Sequence, residues 1–125
     1  MQHSEGFLKL AEDARSRIHE ISVEETHAKL NAHGNNDVRL IDVREDHEWA
    51  QGHAQGAQHL GRGIIERDIE GLVPDKRTEL ILYCGGGYRS ALACDNLQHM
   101  GYTNVHSMAG GWKAWQAAGF PIEVE

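Results

Sequence analysis

The segment ELILYCGGGYRSA, residues 79–91, contains the strongest structural signal in the chain. Its first five residues, Glu79–Tyr83, form an apolar run that does not alternate with polar residues, as is typical of a strand buried on both faces of a parallel sheet. Three glycines follow Cys84, and Arg89 then begins a segment with helical periodicity. The stretch therefore predicts a strand, a tight loop and a helix, with Cys84 at the carboxyl end of the strand, where open α/β sheets bind ligands.

The rest of the chain predicts alternating helices and strands. Apolar residues at 7, 10, 11 and 14 indicate a first amphipathic helix within residues 4–17. Ser22 and Glu25 have the spacing of a capping box, so a second helix should run to about Ala32 and end in a loop at 33–37. Further strands are expected at 18–21, 38–43, 57–60 and 105–108, and helices at 45–51, 64–70, after Gly87 and around Trp112 and Trp115. This alternation predicts an α/β domain with a largely parallel sheet.

Composition excludes several classes of partner. The chain has 125 residues, enough for one domain with its own core. A net charge of −7 with no basic run argues against nucleic acid and anionic membranes as partners. The first residues lack the apolar core of a signal peptide and no stretch approaches a membrane span, so a cytoplasmic location is expected.

Neither the histidines nor the cysteines predict a metal site. The nine histidines are scattered with no HxxxH pair and no CxxC beside them, so neither a metal nor another cofactor is expected. The two cysteines, Cys84 and Cys94, are expected to be separate thiols, because a loop and a helix between them would hold them too far apart to bridge. Cys94 falls on the apolar stripe of the predicted helix and should be inert.

The loop after Cys84 predicts an anion-binding nest. Glycines allow several backbone N–H groups to converge, and the amino end of a helix adds unpaired N–H groups and partial positive charge. Such a site stabilises negative charge on sulfur. The alternative is a tight turn in which Cys84 packs as a small hydrophobe. That alternative needs one or two glycines, and it does not explain a cation, Arg89, at the positive end of a helix.

In these motifs the chain resembles the single-domain rhodaneses, a sulfurtransferase family. The resemblance covers about residues 18–124. It consists of four motifs in order: CGGGYRS at 84–90, DVRE at 42–45 with Glu48, GH…GA at 52–57, and GGW…W…G…P at 110–121.

The resemblance implies a rhodanese-like fold: a central, mostly parallel five-stranded sheet flanked by helices, with residues 18–125 as the rhodanese domain and 1–17 as an extra helical segment. It also implies sulfur transfer from thiosulfate or a similar small anionic donor, through a persulfide on Cys84, to cyanide, a thiol or a protein acceptor. The N–H groups of the loop would bind the anionic sulfur, namely those of Gly85, Gly86, Gly87, Tyr88 and Arg89. The Arg89 side chain would attract the donor or pair with an internal carboxylate, and Asp42 and Arg44 would support the site from the next strand.

Two other functions stay open at this point. Phosphatases and arsenate reductases resemble the same fold but place five residues between cysteine and arginine, whereas Cys84 and Arg89 are separated by four. A lone sulfur atom needs a tighter loop than a tetrahedral oxyanion, which favours sulfur transfer. The third option is a non-catalytic rhodanese-like binding module, and such modules normally lack the cysteine.

Overall fold

The computed structural model describes residues 3–124, with the backbone alone at residues 33–36. In chain order the elements are α1 (Glu5–Arg15), β1 (His19–Ile21), α2 (Val23–Asp37), β2 (Val38–Asp42), α3 (Asp46–Gln51), β3 (His53–Ala54), β4 (Gln58–His59), α4 (Ile65–Leu72), β5 (Glu79–Tyr83), α5 (Tyr88–His99), β6 (Val105–Met108), α6 (Gly111–Ala117) and β7 (Ile122–Glu123). Within the described range, no helix is both long enough and apolar enough to cross a membrane.

Five strands form one parallel sheet with β5 at its centre. The strand order is β1-β6-β5-β2-β4, and every neighbouring pair is parallel. β5 pairs with β2 along its whole length, from Glu79 opposite Val38 to Tyr83 opposite Asp42. The predicted α/β class and the five-stranded sheet are therefore confirmed, and the carboxyl end of the central strand leads directly to Cys84.

Alternate residues of β5 enter two separate cores, which explains its unbroken apolar sequence. Leu80 and Leu82 face one core that includes Ile69 and Leu97 from α4 and α5. Ile81 and Tyr83 face the other, together with Trp115 of α6, Leu40 and Met108. All four β5 residues are fully buried. Close packing on both faces holds β5 in one position, so the loop that follows begins from a rigid strand end.

Two local features differ from the predicted elements. The loop expected at 33–37 is instead the last part of α2, which runs to Asp37 and passes directly into β2. Glycine and asparagine cost a helix only about 1 kcal/mol or less each, so they lower its stability without ending it. The small antiparallel sheet of β3 and β7 was not predicted, because strands of two residues carry no periodicity. The backbone N–H of Ala54 in β3 donates a 3.0 Å hydrogen bond to the Tyr83 hydroxyl.

The first helix packs against the domain along α5. Its amino end is capped by the Ser4 side chain, which accepts from the Phe7 N–H at 3.2 Å. Ala11 and Ala14 are buried, which gives the helix a small-residue face. After its last turn, Arg17 donates two hydrogen bonds, of 3.0 and 2.7 Å, to Asp95 of α5. Part of the predicted apolar stripe is thus docked on the domain within one chain, while Leu10 of that stripe stays exposed.

Candidate active site

Cys84 follows β5 directly, and its sulfur lies at the amino end of α5. The residue is 1% exposed. Its Sγ accepts hydrogen bonds from the backbone N–H of Gly87 at 3.1 Å and of Ser90 at 3.4 Å. Gly87 has a φ of 103°, a left-handed conformation that disfavours any residue with a Cβ. The loop can turn its N–H toward the sulfur because this position is glycine.

The predicted loop residues divide into two groups in the structure. Within the described loop, the backbone N–H of Gly87 donates to Sγ, whereas the backbone N–H groups of Gly85, Gly86, Tyr88 and Arg89 do not. The second donor, Ser90, was missed, although its position in the first turn of α5 could have indicated an unpaired N–H. Its hydroxyl lies 3.6 Å from Sγ and 2.8 Å from the hydroxyl of Ser107 on β6, and both serines are fully buried. No local sequence signal pointed to Ser107.

The start of α6 fixes the outer side of the loop. The Trp112 N–H donates to the Cys84 carbonyl at 2.7 Å, and the Lys113 N–H donates to the Gly85 carbonyl at 3.2 Å. These two bonds fix the path of the loop backbone beside the sulfur. Gly111 is required here: its φ is 55°, and a Cβ would overlap the Cys84 carbonyl oxygen and lie 3.0 Å from the carbonyl carbons of Cys84 and Gly85. This contact gives the second glycine of the GGW motif a structural reason.

The guanidinium of Arg89 is paired with Glu48 of α3. Its two terminal nitrogens donate to the two carboxylate oxygens at 2.7 and 3.2 Å, and both side chains are about 30% exposed. The hydrogen bond from Arg89 lowers the pKa of Glu48 to about 2, so Glu48 is ionised at neutral pH. The pKa of Arg89 is raised, most strongly by Glu48 and further by its interaction with Cys84. Of the two options for Arg89, pairing with an internal carboxylate is the one observed.

Asp42 and Arg44 form a buried pair beside the loop. Arg44 donates to both Asp42 oxygens and also, at 2.7 Å, to the carbonyl of Gly52. The central carbon of its guanidinium lies 4.7 Å from the centre of the Trp112 ring. Burial would lower the pKa of Arg44, but the bonds to Asp42 outweigh it and the pKa is raised. The pair ties the end of β2 to α3 and α6, as expected for support of the site.

The second cysteine has no access to solvent. Cys94 is fully buried in the core on the α5 side of the sheet, and both cysteines are free thiols. Burial raises the pKa of the Cys94 thiol well above its ordinary value, which keeps it protonated and unreactive. Among the described residues, no three His, Cys, Asp or Glu side chains are grouped so that they could hold a metal ion.

The structure is thus an α/β domain with a buried cysteine at the amino end of a helix and two backbone N–H groups directed at its sulfur. The chain belongs to the rhodanese family, since the rhodanese-like domain model matches residues 22–118.

Several similar proteins carry a sulfurtransferase name. The chain is 31% identical over 105 residues to the thiosulfate sulfurtransferase GlpE of Stutzerimonas stutzeri, an alignment that covers 84% of this chain and 90% of the relative. It is 36% identical over 86 residues to a sulfurtransferase of Allochromatium vinosum, covering 69% of this chain and 78% of the relative. The homologues thus support sulfurtransferase activity in general terms.

Nearly the whole chain, including the first helix, is matched by a solved structure. It is a protein of unknown function from Rhodopseudomonas palustris, described as a candidate tyrosine phosphatase. The two chains are 30% identical with a TM-score of 0.84, and the match covers 98% of each. The similarity supports the fold, and the description of that protein is the reason to keep phosphatase activity as an alternative.

Proposed function

We propose that this protein transfers the outer sulfur of thiosulfate, or of a similar small anionic donor, to a nucleophilic acceptor through a persulfide on Cys84. The observation that carries the proposal is the pair of hydrogen bonds from Gly87 and Ser90 to Sγ. Two N–H donors at a helix terminus favour the negatively charged form of sulfur, which is the nucleophile.

In the first half-reaction, the Cys84 thiolate attacks the outer sulfur of thiosulfate. A bond forms between Sγ and that sulfur, the S–S bond of thiosulfate breaks, and its electron pair leaves with sulfite. The product is a persulfide whose terminal sulfur carries the negative charge. We assign the stabilisation of that sulfur to the loop amides that do not reach Sγ, those of Gly85, Gly86, Tyr88 and Arg89. Fixed N–H dipoles of this kind act as an oxyanion hole does.

In the second half-reaction, cyanide or a thiolate attacks the terminal sulfur. The bond from that sulfur to Sγ breaks, its electron pair returns to Sγ, and the thiolate is regenerated. Two separate half-reactions with a covalent intermediate give ping-pong kinetics. A protein could also act as the acceptor, because the chemistry asks only for a nucleophile that reaches the loop.

Phosphatase activity is the second candidate, favoured by the description of the Rhodopseudomonas protein. The loop argues against it here. Four residues separate Cys84 from Arg89, and Gly87 and Ser90 donate at 3.1 and 3.4 Å to Sγ itself. A tetrahedral oxyanion bonded to that sulfur would need donors farther out. The guanidinium that would bind its oxygens is already engaged by Glu48.

Intact-mass measurement after incubation with thiosulfate tests the proposal. The unaltered protein and Cys94→Ala should each gain the mass of one sulfur atom, and that mass should be lost on addition of cyanide with formation of thiocyanate. Cys84→Ser should gain nothing. Cys94→Ala is the matched control, because it removes a thiol of the same core at the cost of a small cavity. Hydrolysis of p-nitrophenyl phosphate through Cys84, with no sulfur taken from thiosulfate, would replace this function by the phosphatase alternative.

A further inference from the structure

A cavity of about 540 Å³ opens beside the Cys84 loop, between the first helix and α3. It is lined by His3, Ser4, Phe7, Glu45, His47, Glu48 and Arg89. The guanidinium of Arg89 lines this cavity and also lies against Gly85 of the Cys84 loop, where a Cβ added to Gly85 would be 3.2 Å from it. One wall of the cavity is therefore also a wall of the Cys84 loop.

The α1 wall of the cavity is held in place by the loop. The Tyr88 ring contacts the His3 ring at a centroid distance of 4.9 Å and the Phe7 ring at 6.1 Å. The guanidinium of Arg15 lies 4.6 Å from the centre of the same Tyr88 ring. Because Tyr88 is the first residue of α5, α1 is fastened to the element that positions the sulfur. The cavity is therefore walled by elements that are held against the Cys84 loop.

The lining combines aromatic rings with an excess of negative charge. His3 and Phe7 present rings 5.1 Å apart, which offer apolar surface to a ligand. Among the described lining residues there are two carboxylates, Glu45 and Glu48, and the one guanidinium, that of Arg89, is bound to Glu48. An anionic ligand finds no free guanidinium or ammonium group among these residues and meets the charge of Glu45. A neutral ligand with an apolar body meets no such penalty.

We propose that this cavity is the acceptor subsite and that it takes the uncharged, apolar body of a small thiol; this rests on the proposed sulfur transfer. The thiol enters as its thiolate after losing its proton to solvent, and its sulfur attacks the terminal sulfur of the Cys84 persulfide. The bond to Sγ breaks, its electron pair returns to Cys84, and the acceptor leaves as its own persulfide. Cyanide has no body to place in the cavity, so its reaction does not depend on the cavity.

Two matched thiols test the charge preference. Mercaptohexanamide and mercaptohexanoate share one chain and differ in charge at the end remote from sulfur. With thiosulfate as donor, the unaltered protein should show kcat/KM about tenfold higher for the amide, the size of effect that one pocket contact produces. Glu45→Gln should narrow this gap. Equal values for the two thiols, or a preference for the carboxylate, would overturn the assignment.

Variants of α1 test the location. The ratio of kcat/KM for mercaptohexanamide to that for cyanide should fall about tenfold in Phe7→Ala, through a higher KM for the thiol. Leu10→Ala is the control, since Leu10 lies on the same helix, is 58% exposed and does not line the cavity; its ratio should match that of the unaltered protein. Phe7→Leu gives the same measurement if the alanine variant is unstable. An unchanged ratio in the Phe7 variants, or an equal fall in Leu10→Ala, contradicts the proposal.

Binding of ligands that cannot react tests the cavity independently of the proposed sulfur transfer. Hexanamide and hexanoate contain no sulfur, so calorimetric titration of each reports on the cavity alone. Hexanamide should bind more tightly than hexanoate, and Phe7→Leu should weaken it. If thiosulfate and cyanide give no thiocyanate but hexanamide binds more tightly than hexanoate, the proposed function is wrong, while the binding preference of the cavity is confirmed. If thiocyanate forms but neither ligand binds, only the acceptor subsite is wrong.

Discussion

Gly111→Ala should disrupt the Cys84 loop from a position outside it. The φ of 55° at this residue alone costs an alanine about 1 kcal/mol. The new methyl group would also overlap the Cys84 carbonyl oxygen. Because this oxygen belongs to the backbone, it cannot rotate away as the end of a side chain could. Overpacking of this kind adds about 1–3 kcal/mol. We expect the free energy of unfolding to fall by about 3 kcal/mol, or about 10 °C in Tm.

The expected loss of activity follows from the same contact. To relieve the overlap, the start of α6 must move away from the loop, which weakens the 2.7 Å bond from the Trp112 N–H to the Cys84 carbonyl. The loop amides then lose their alignment on the sulfur. A displacement of about 1 Å at a reacting centre can cost about 100-fold in rate, and that is the expected fall in thiocyanate formation.

Gly119→Ala is the matched control. Gly119 also has a positive φ, 74°, but a Cβ there would meet nothing within 4 Å. It should lose about 1 kcal/mol and keep its activity, so the difference between the two variants measures the contact with Cys84. Thermal unfolding and the thiosulfate–cyanide assay on both variants provide the test. Equal stability and equal activity in the two would refute the role assigned to Gly111.

Three further changes have expected outcomes. Glu48→Gln should reduce the loss of stability in acid, because the Glu48 pKa is depressed to about 2 and its contribution to stability, present above about pH 5, is lost toward pH 2. In urea unfolding, the free energies of unfolding of the two proteins should therefore converge as the pH falls from about 5 to about 2. A constant difference between them would contradict this. Tyr83→Phe should cost about 1–3 kcal/mol in denaturant unfolding, because the buried Ala54 N–H loses its acceptor, and an unchanged midpoint would exclude this. A glycine inserted between Gly86 and Gly87 should greatly slow sulfur transfer by moving the Gly87 N–H off Sγ, while one inserted beside the exposed Gly63 should not; equal rates would refute the loop-size argument.

The sequence was most informative where a signal was local. The unbroken apolar run of β5 and its following glycines predicted the strand bounds and the place of Cys84, and β6 was predicted with the bounds observed. The end of α2 was predicted wrongly, because weak helix formers were treated as a terminus. Ser107 and the pairing of Arg89 with Glu48 depend on residues brought together by the fold. Such contacts leave no periodic pattern in the chain.

The hydrogen bond from the Trp112 N–H to the Cys84 carbonyl also has a consequence for the order of folding. The loop after β5 is complete only when α6, formed by a later part of the chain, has docked on it. A chain emerging from the ribosome therefore exposes Cys84 before the N–H groups of Gly87 and Ser90 are fixed against its sulfur. We expect the thiol to stay comparatively unreactive until the domain closes. The arrangement of backbone N–H groups around the Cys84 sulfur is thus completed only in the last stage of folding.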